Sequence, residues 1–362
     1  MSSIEEIIDS RVGEVRTDSL DISYGEIVNL HANEELVIDP EYQRLFRWSN
    51  EQRSKLIESI LLELPIPQIF VIENEDGILE LIDGLQRISS VIQFVASEQI
   101  DHEPLTLSGC DLIEDLNDYN FEGLPLRLKL RIKRASVRMV IIKRESESFL
   151  RYEMFQRLNT GGELLSHQEL RNCSARMVGR SGDKFYNFLK RCADHPDFRK
   201  CIEPLSDSDF EKKGDEELVL RYFALKNGKD LFKGSIRDWL NDYMEEVLLE
   251  KRDFDYDLEE EEFKNLFGFI GETLAEGAFV KYRGEKPVGG LAPAYYEAVT
   301  MGIQSVLSSL QNVHEHKVKQ VIINVVQKEE FREVTGPGAN AQWKLEKRIE
   351  IVEEAFKNIL IK

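Results

Sequence analysis

The sequence predicts an α+β protein: a mixed α/β domain over residues 20–175 followed by a mostly helical domain over residues 176–362. Three observations predict it. Short apolar runs of strand type alternate with helices before residue 176. After it, helical spacing of apolar residues dominates. The length of 362 residues is also beyond the size at which a single hydrophobic core stops growing.

The elements follow in order. Leu36-Val37-Ile38 reads as a short strand that Asp39-Pro40 stops, and Glu41-Tyr42-Gln43-Arg44 comes next. Ser49 is a helix N-cap with Gln52 as its capping-box partner. Leu56, Ile57, Ile60, Leu61 and Leu64 then recur at helical spacing, so residues 50–64 form an amphipathic helix that Pro65 and Pro67 end. Residues 68–72 and 78–82 are two strands joined by the turn chemistry of ENEDG, a hairpin. Asp83-Gly84 breaks the second strand, and Leu85, Ile88, Val91, Ile92 and Val95 mark a helix running to about Ala96. Residues 98–122 are polar and read as an excursion loop. A short helix at 124–132, a strand at 136–143 and a helix at 146–158 lead into Asn159-Thr160-Gly161-Gly162. Ser166 and Glu169 form a second capping-box pattern, opening a helix that carries Arg171 and Asn172. Beyond it, helices are expected at 183–193, 215–226, 235–250, 260–275, 291–309 and 340–361. In the last, Leu345, Ile349, Val352, Phe356 and Ile359 make a seam suited to intramolecular core. Residues 318–326 fit helix or strand equally.

Composition narrows the function classes. Lys and Arg number 47 against 67 Asp and Glu, a formal net charge of −20, which argues against charge-driven coating of DNA. A local patch remains a candidate: Arg127, Lys129, Arg131, Lys133, Arg134, Arg138, Lys143 and Arg144 crowd one stretch, either a solvated face or a phosphate-tracking surface. The four cysteines contain no C-x-x-C pair, so neither a zinc ribbon nor a thioredoxin-type site is encoded. With no apolar run of spanning length and no secretory pattern at MSSIEEIIDSR, the expected compartment is the cytoplasm, with no membrane partner. Six scattered histidines form no H-E-x-x-H, and there is no G-x-S-x-G elbow and no Walker A loop.

The strongest candidate for chemistry is Asp83-Gly84-Leu85-Gln86-Arg87. A strand runs into a glycine and a helix starts at once. First-turn N–H groups lack internal partners and the dipole is positive there, which suits an anion. Asp83 can cap this helix, with Gln86 completing a capping box. Arg87 is a cation at the positive end of the dipole. That placement is more comfortable with a phosphate or a carboxylate in front of it, and its fork suits bidentate phosphate contact. An ion pair with Asp83 or a nearby Glu is the structural alternative. Tyr42-Gln43-Arg44 and Arg157-Leu158-Asn159-Thr160-Gly161-Gly162 carry the same kinds of group. Two glycines there let a backbone approach a phosphate, and a helix C-cap is the alternative.

These residues resemble a known family. EYQRLFRW, LIESILLELPIPQIFVI, LIDGLQRISSVIQF and FQRLNTGGELLSHQELRN, in this order, are similar to the N-terminal domain of GmrSD-type restriction proteins, type IV systems acting on modified DNA. ELVLRYFAL at 217–225 and TGPGANAQWKLEKRIEIVEEAF at 335–356 resemble stand-alone members, without the HNH nuclease domain of two-domain relatives. The resemblance implies a ParB/sulfiredoxin-like mixed fold for the N-terminal domain. It implies a D-G-Q-Q-R signature for nucleotide binding and hydrolysis, here Asp83-Gly84-Leu85-Gln86-Arg87, with Leu85 in place of the first Gln. Asp83, Gln86 and Arg87 are then the catalytic candidates. Gly84, Tyr42, Gln43, Arg44, Arg157, Asn159, Thr160 and Gly161 are the nucleotide-binding ones. The expected cofactor is an NTP with Mg²⁺, Asp83 being a candidate magnesium ligand. The reading leans to an NTP hydrolase acting with DNA, including modified DNA, and a separate nuclease partner. A non-catalytic sensor of nucleotide or modified DNA that regulates a partner is the alternative, and a ParB-like DNA nuclease the third.

Overall fold

The computed structural model describes residue 4 and residues 16–38, 46–74, 76–100, 102–143, 166–176 and 178–360. The protein has an α+β fold with a largely helical C-terminal region. It divides into two compact units, residues 1–165 and 166–362.

The first unit is built on a five-stranded mixed sheet in the order β1-β5-β3-β4-β2. The strands are β1 (Thr17–Ser23), β2 (Leu36–Val37), β3 (Ile69–Glu73), β4 (Leu79–Asp83) and β5 (Ser136–Ile142). β3 and β4 form the expected antiparallel hairpin, and β5 and β2 add to its two sides in parallel. The hairpin turn is fixed by Asn74, whose Oδ1 accepts from the N–H groups of Asp76 and Ile78. Between Phe70 and Val71 the register slips, so that Phe70 faces Asp83 while Val71 faces Leu81. Such a bulge re-aims the end of a strand. Helices α1 (Tyr24–Ala32), α2 (Asn50–Leu61), α3 (Leu85–Val95) and α4 (Leu126–Arg134) complete the unit. Ile57, Ile69, Val71, Ile88, Val91 and Met139 are fully buried between helices and sheet.

α2 begins with the Ser49–Gln52 capping box, both of its hydrogen bonds present. The excursion of residues 98–122 is polar in composition yet packed: Leu105, Leu107, Cys110 and Leu116 are buried. Its anchor is Glu58 of α2, 1% exposed, whose Oε1 accepts from the N–H groups of Leu112 and Ile113 at 3.0 and 2.6 Å. One charged side chain thus satisfies two backbone donors that periodicity could not reveal. The helix expected at 146–158 lies outside the described residues.

The second unit is helical: α5 (His167–Arg176), α6 (Arg180–Ala193), α7 (Pro196–Cys201), α8 (Asp207–Glu211), α9 (Gly214–Asn227), α10 (Ile236–Leu248), α11 (Tyr256–Thr273), α12 (Pro293–Gln304), α13 (Leu307–Leu310), α14 (Glu315–Val326), α15 (Glu329–Thr335) and α16 (Gln342–Leu360). Residues 318–326, open from sequence, are helix. A small hairpin, β6 (Lys281–Arg283) with β7 (Lys286–Val288), was not foreseen. The α16 seam is core: Leu345, Val352 and Phe356 are buried, and a Cβ on Gly302 of α12 would stand 2.6 Å from Val352 Cγ1, so these helices need a glycine to approach. Through the same core runs a chain of alternating charge. Arg171 and Arg221 both bond Glu217, at 3.1 and 2.9 Å; Arg221 also bonds Glu297 at 2.8 Å, and Arg348 bonds the other oxygen of Glu297. Glu297 and Arg348 are 1% and 0% exposed. Buried charges survive only when paired in this way.

Candidate functional site

The junction between β4 and α3 is where the sequence places its chemistry. Gly84 is the N-cap of α3 at φ +103°, in the left-handed region, and no side chain caps this helix. A Cβ at this position would stand 2.6 Å from Ile69 Cγ2, so both backbone conformation and β3 demand glycine. The expected Asp83–Gln86 capping box is absent, for a geometric reason. Gly84 occupies the N-cap position, Asp83 still belongs to the strand, and both side chains are used elsewhere.

Asp83 Oδ2 accepts from Arg87 Nη2 at 2.7 Å, and Arg87 Nη1 donates to the carbonyl of Pro67 at 3.2 Å. The ion pair offered as the structural alternative is therefore present. It is not sealed: the side chains of Arg87 and Asp83 keep 14% and 28% exposure. Gln86 turns the other way. Its Oε1 accepts from the backbone N–H groups of Arg47 and Trp48 at 3.1 and 3.0 Å, tying the stretch just after Tyr42-Gln43-Arg44 to the start of α3. Leu85 is 4% exposed and belongs to the core.

Two further contacts hold this arrangement. Arg53 of α2 donates to Gln93 of α3 at 3.0 Å and its guanidinium lies 4.1 Å above the Phe46 ring. Burial draws the Arg53 pKa down. Phe46 in turn meets His102 edge to face at 5.3 Å. The segment 46–48 is thereby clamped between α2 and α3.

Sequence reasoning missed Tyr24. It is 1% exposed, and among the described residues its hydroxyl has no hydrogen-bond partner. Burial pushes its phenol up to about 12, against the opposing pull of the Arg87 charge. Tyr24 borders a cavity of about 480 Å³ together with Glu63, Ile66, Arg131 and Arg134. Ile66 adjoins Pro67, the carbonyl that Arg87 holds. Nothing in local periodicity marks Tyr24, whose importance comes from tertiary packing.

Several candidates are not gathered here. Tyr42, Gln43 and Arg44, and Arg157, Asn159, Thr160 and Gly161, lie outside the described residues. The Ser166–Glu169 capping box is formed, each backbone N–H bonding the other's side chain. Arg171 and Asn172 of the same helix are consumed by buried partners in the helical unit, Glu217 and Glu216. Of the seven described cations of the basic stretch around α4, four are paired with acids, and Arg127, Lys133 and Arg134 form no ion pair among the described residues. Lys129 pairs with Glu122, Arg131 with Glu63, Arg138 with Asp21, and Lys143 with Asp18 and Glu73, while Arg144 lies outside the described residues. Among the described residues, no group of three or more His, Cys, Asp or Glu is placed to hold a metal ion. No helix described is long and apolar enough to cross a membrane.

No curated protein and no solved structure matches the chain significantly. Residues 24–175 match the family described as GmrSD restriction endonuclease, N-terminal domain. This stretch, which holds strands β2 to β5 and the Asp83–Arg87 junction, is thus similar to a GmrSD-type N-terminal domain.

Proposed function

We propose that the chain is a nucleotide-binding protein of a restriction-like defence system, and that the phosphates of an NTP dock at the start of α3. The observation that carries this reading is the junction itself. A helix opens on a left-handed glycine without a side-chain cap, and a partly exposed arginine stands within its first turn. Helix starts of this kind favour anions, and an arginine fork adds bidentate contact. In this proposal the Asp83–Arg87 pair is the resting state. Phosphate oxygens compete with Asp83 for the guanidinium, and the carboxylate released is free to face a cation.

That exchange also bears on magnesium. Mg²⁺ is commonly held by one or two carboxylates together with substrate phosphates rather than by an all-protein cage. Asp83, half-buried with one oxygen committed to Arg87, fits that role. When bound, the ion supplies charge neutralisation on the phosphate oxygens. The residues of this chain contribute positioning and electrostatics, which is most of what phosphoryl transfer asks of a protein. Tyr42, Gln43, Arg44, Arg157, Asn159, Thr160 and Gly161 are proposed to complete the triphosphate contacts. DNA, including modified DNA, and a separate nuclease are the proposed partners.

A second reading has its own support: binding without turnover, as a sensor that gates a partner. Leu85 is buried where the D-G-Q-Q-R signature has a polar amide, and the Gln86 carbonyl already serves two backbone donors. Calorimetry of the full chain with Mg-ATP, Mg-GTP and Mg-CTP tests the shared claim. Arg87→Ala is expected to weaken the bound nucleotide by about 10- to 100-fold, the worth of a charged hydrogen bond or two. Undiminished affinity refutes the docking site. Phosphate release above background by the wild type selects the hydrolase; measurable binding with background release selects the sensor.

A further inference from the structure

We infer that the helical unit carries a second anion site, built for a phosphate group, between the β6–β7 hairpin and helix α15. A cavity of about 440 Å³ opens there, bordered by Lys281 and Arg283 of the hairpin and Arg332 of α15. Pockets for small ligands have this size.

The charges are what make it a site. The chain carries 20 more acids than bases, so carboxylates outnumber the cations that could pair with them. Arg171, Arg221, Arg252 and Arg348 of the same unit all do so. Lys281, Arg283 and Arg332 form no ion pair among the described residues. Of the acids flanking Arg332 in sequence, Glu330 turns to Lys347 at 3.9 Å, and Glu329 and Glu333 make no ion pair with it. In the hairpin register Arg283 stands directly opposite Lys286, a like-charge pairing that costs stability unless an anion answers it. Tyr282, between Lys281 and Arg283, also borders the cavity; it is buried, with its hydroxyl donating to the Gly277 carbonyl at 3.0 Å.

The hairpin is also held still. Gln327 of α14 grips its turn from both sides: the Gly284 N–H donates to Gln327 Oε1 at 3.1 Å, and Gln327 Nε2 donates back to the Gly284 carbonyl at 3.0 Å. A hairpin backbone fixed before binding leaves only the side chains to order on capturing a ligand. The ligand is phosphate chemistry, supplied either by a free nucleotide-sized phosphate compound or by a nucleic-acid backbone.

The site is separable from the Arg87 junction by experiment. The full-length Arg87→Ala chain is titrated with pyrophosphate by calorimetry and with a fluorescent 20-mer of single-stranded DNA by anisotropy, at low salt. The inference predicts that at least one probe binds. Arg283→Gln and Arg332→Gln should each weaken that binding about tenfold, and Glu285→Lys at the hairpin tip should strengthen it. All three positions are exposed, so unchanged circular dichroism and melting are expected alongside. Binding of pyrophosphate alone assigns a free phosphate compound, and binding of the 20-mer, with displacement by salt, assigns a nucleic-acid backbone. Failure of both probes at millimolar concentration, or equal affinity in the glutamine variants, overturns the inference. Because the background already lacks Arg87, either result leaves the α3 reading to its own test.

Discussion

Gly84→Ala probes the geometry of the α3 junction. Two costs add. An L-residue at φ +103° forfeits about 1–2 kcal/mol in the left-handed region. The new methyl would stand 2.6 Å from Ile69 Cγ2 and 3.1 Å from its Cβ, on a fully buried side chain of the central strand. Overpacking of that kind costs about 1–3 kcal/mol. The sum, about 2–5 kcal/mol, is a large part of a typical domain's 5–15 kcal/mol. Gly77→Ala is the matched control. It has φ +81° but nothing within 4 Å of the added methyl, so only the backbone cost applies. Narrowing of the unfolded chain offsets both variants equally and cancels in the difference. Urea-dependent hydrogen exchange of peptides from residues 50–95 reports the first unit alone. Gly84→Ala should be less stable than Gly77→Ala by about 1–3 kcal/mol; equal stability of the two variants refutes the close approach of Ile69.

Three more outcomes follow from the packing. Glu297→Ala strands two buried arginines, Arg221 and Arg348, and should destabilise the helical unit by about 3–5 kcal/mol in urea unfolding, a loss below 1 kcal/mol contradicting the charge chain. Glu58→Ala leaves the N–H groups of Leu112 and Ile113 without their acceptor and should cost the first unit about 1.5–3 kcal/mol, with faster exchange of those two amides; unaltered exchange counts against the anchor. Burial pushes the thiols of Cys110 up to about 11 and of Cys192 and Cys201 up to about 12. Only the thiolate attacks, so at pH 8 these three should react slowly with a disulfide reagent and half-buried Cys173 alone quickly, Cys110 gaining reactivity as pH climbs toward 11. Several fast thiols in the native chain would contradict this.

The parts of the fold readable from sequence were those governed by local rules. The α2 start was visible because Ser49 and Gln52 cap through contacts three residues apart. The β3–β4 hairpin was visible because its turn residues sit together, and α16 because its seam repeats. What was hidden depends on residues distant in sequence. The order β1-β5-β3-β4-β2 brings together strands far apart in the chain. Glu58 reaches 54 residues to its nearer partner. The excursion it anchors looked like loop because its buried leucines follow no period. The same limit explains the site. Gly84 and Arg87 stood out from a local conflict with the helix dipole, but the partners of Gln86 at Arg47 and Trp48 lie nearly 40 residues away, and so its capping role was misread. The unpaired cations near α15 were equally silent, because whether a cation finds a carboxylate is settled only by packing.

Amide hydrogen exchange across the first turn of α3, with and without saturating Mg-NTP, tests most directly whether that turn receives phosphate. Protection of the 84–88 amides on nucleotide addition, lost in Arg87→Ala, is the predicted result. Nucleotide that binds the chain yet leaves exchange at 84–88 unaltered would contradict it.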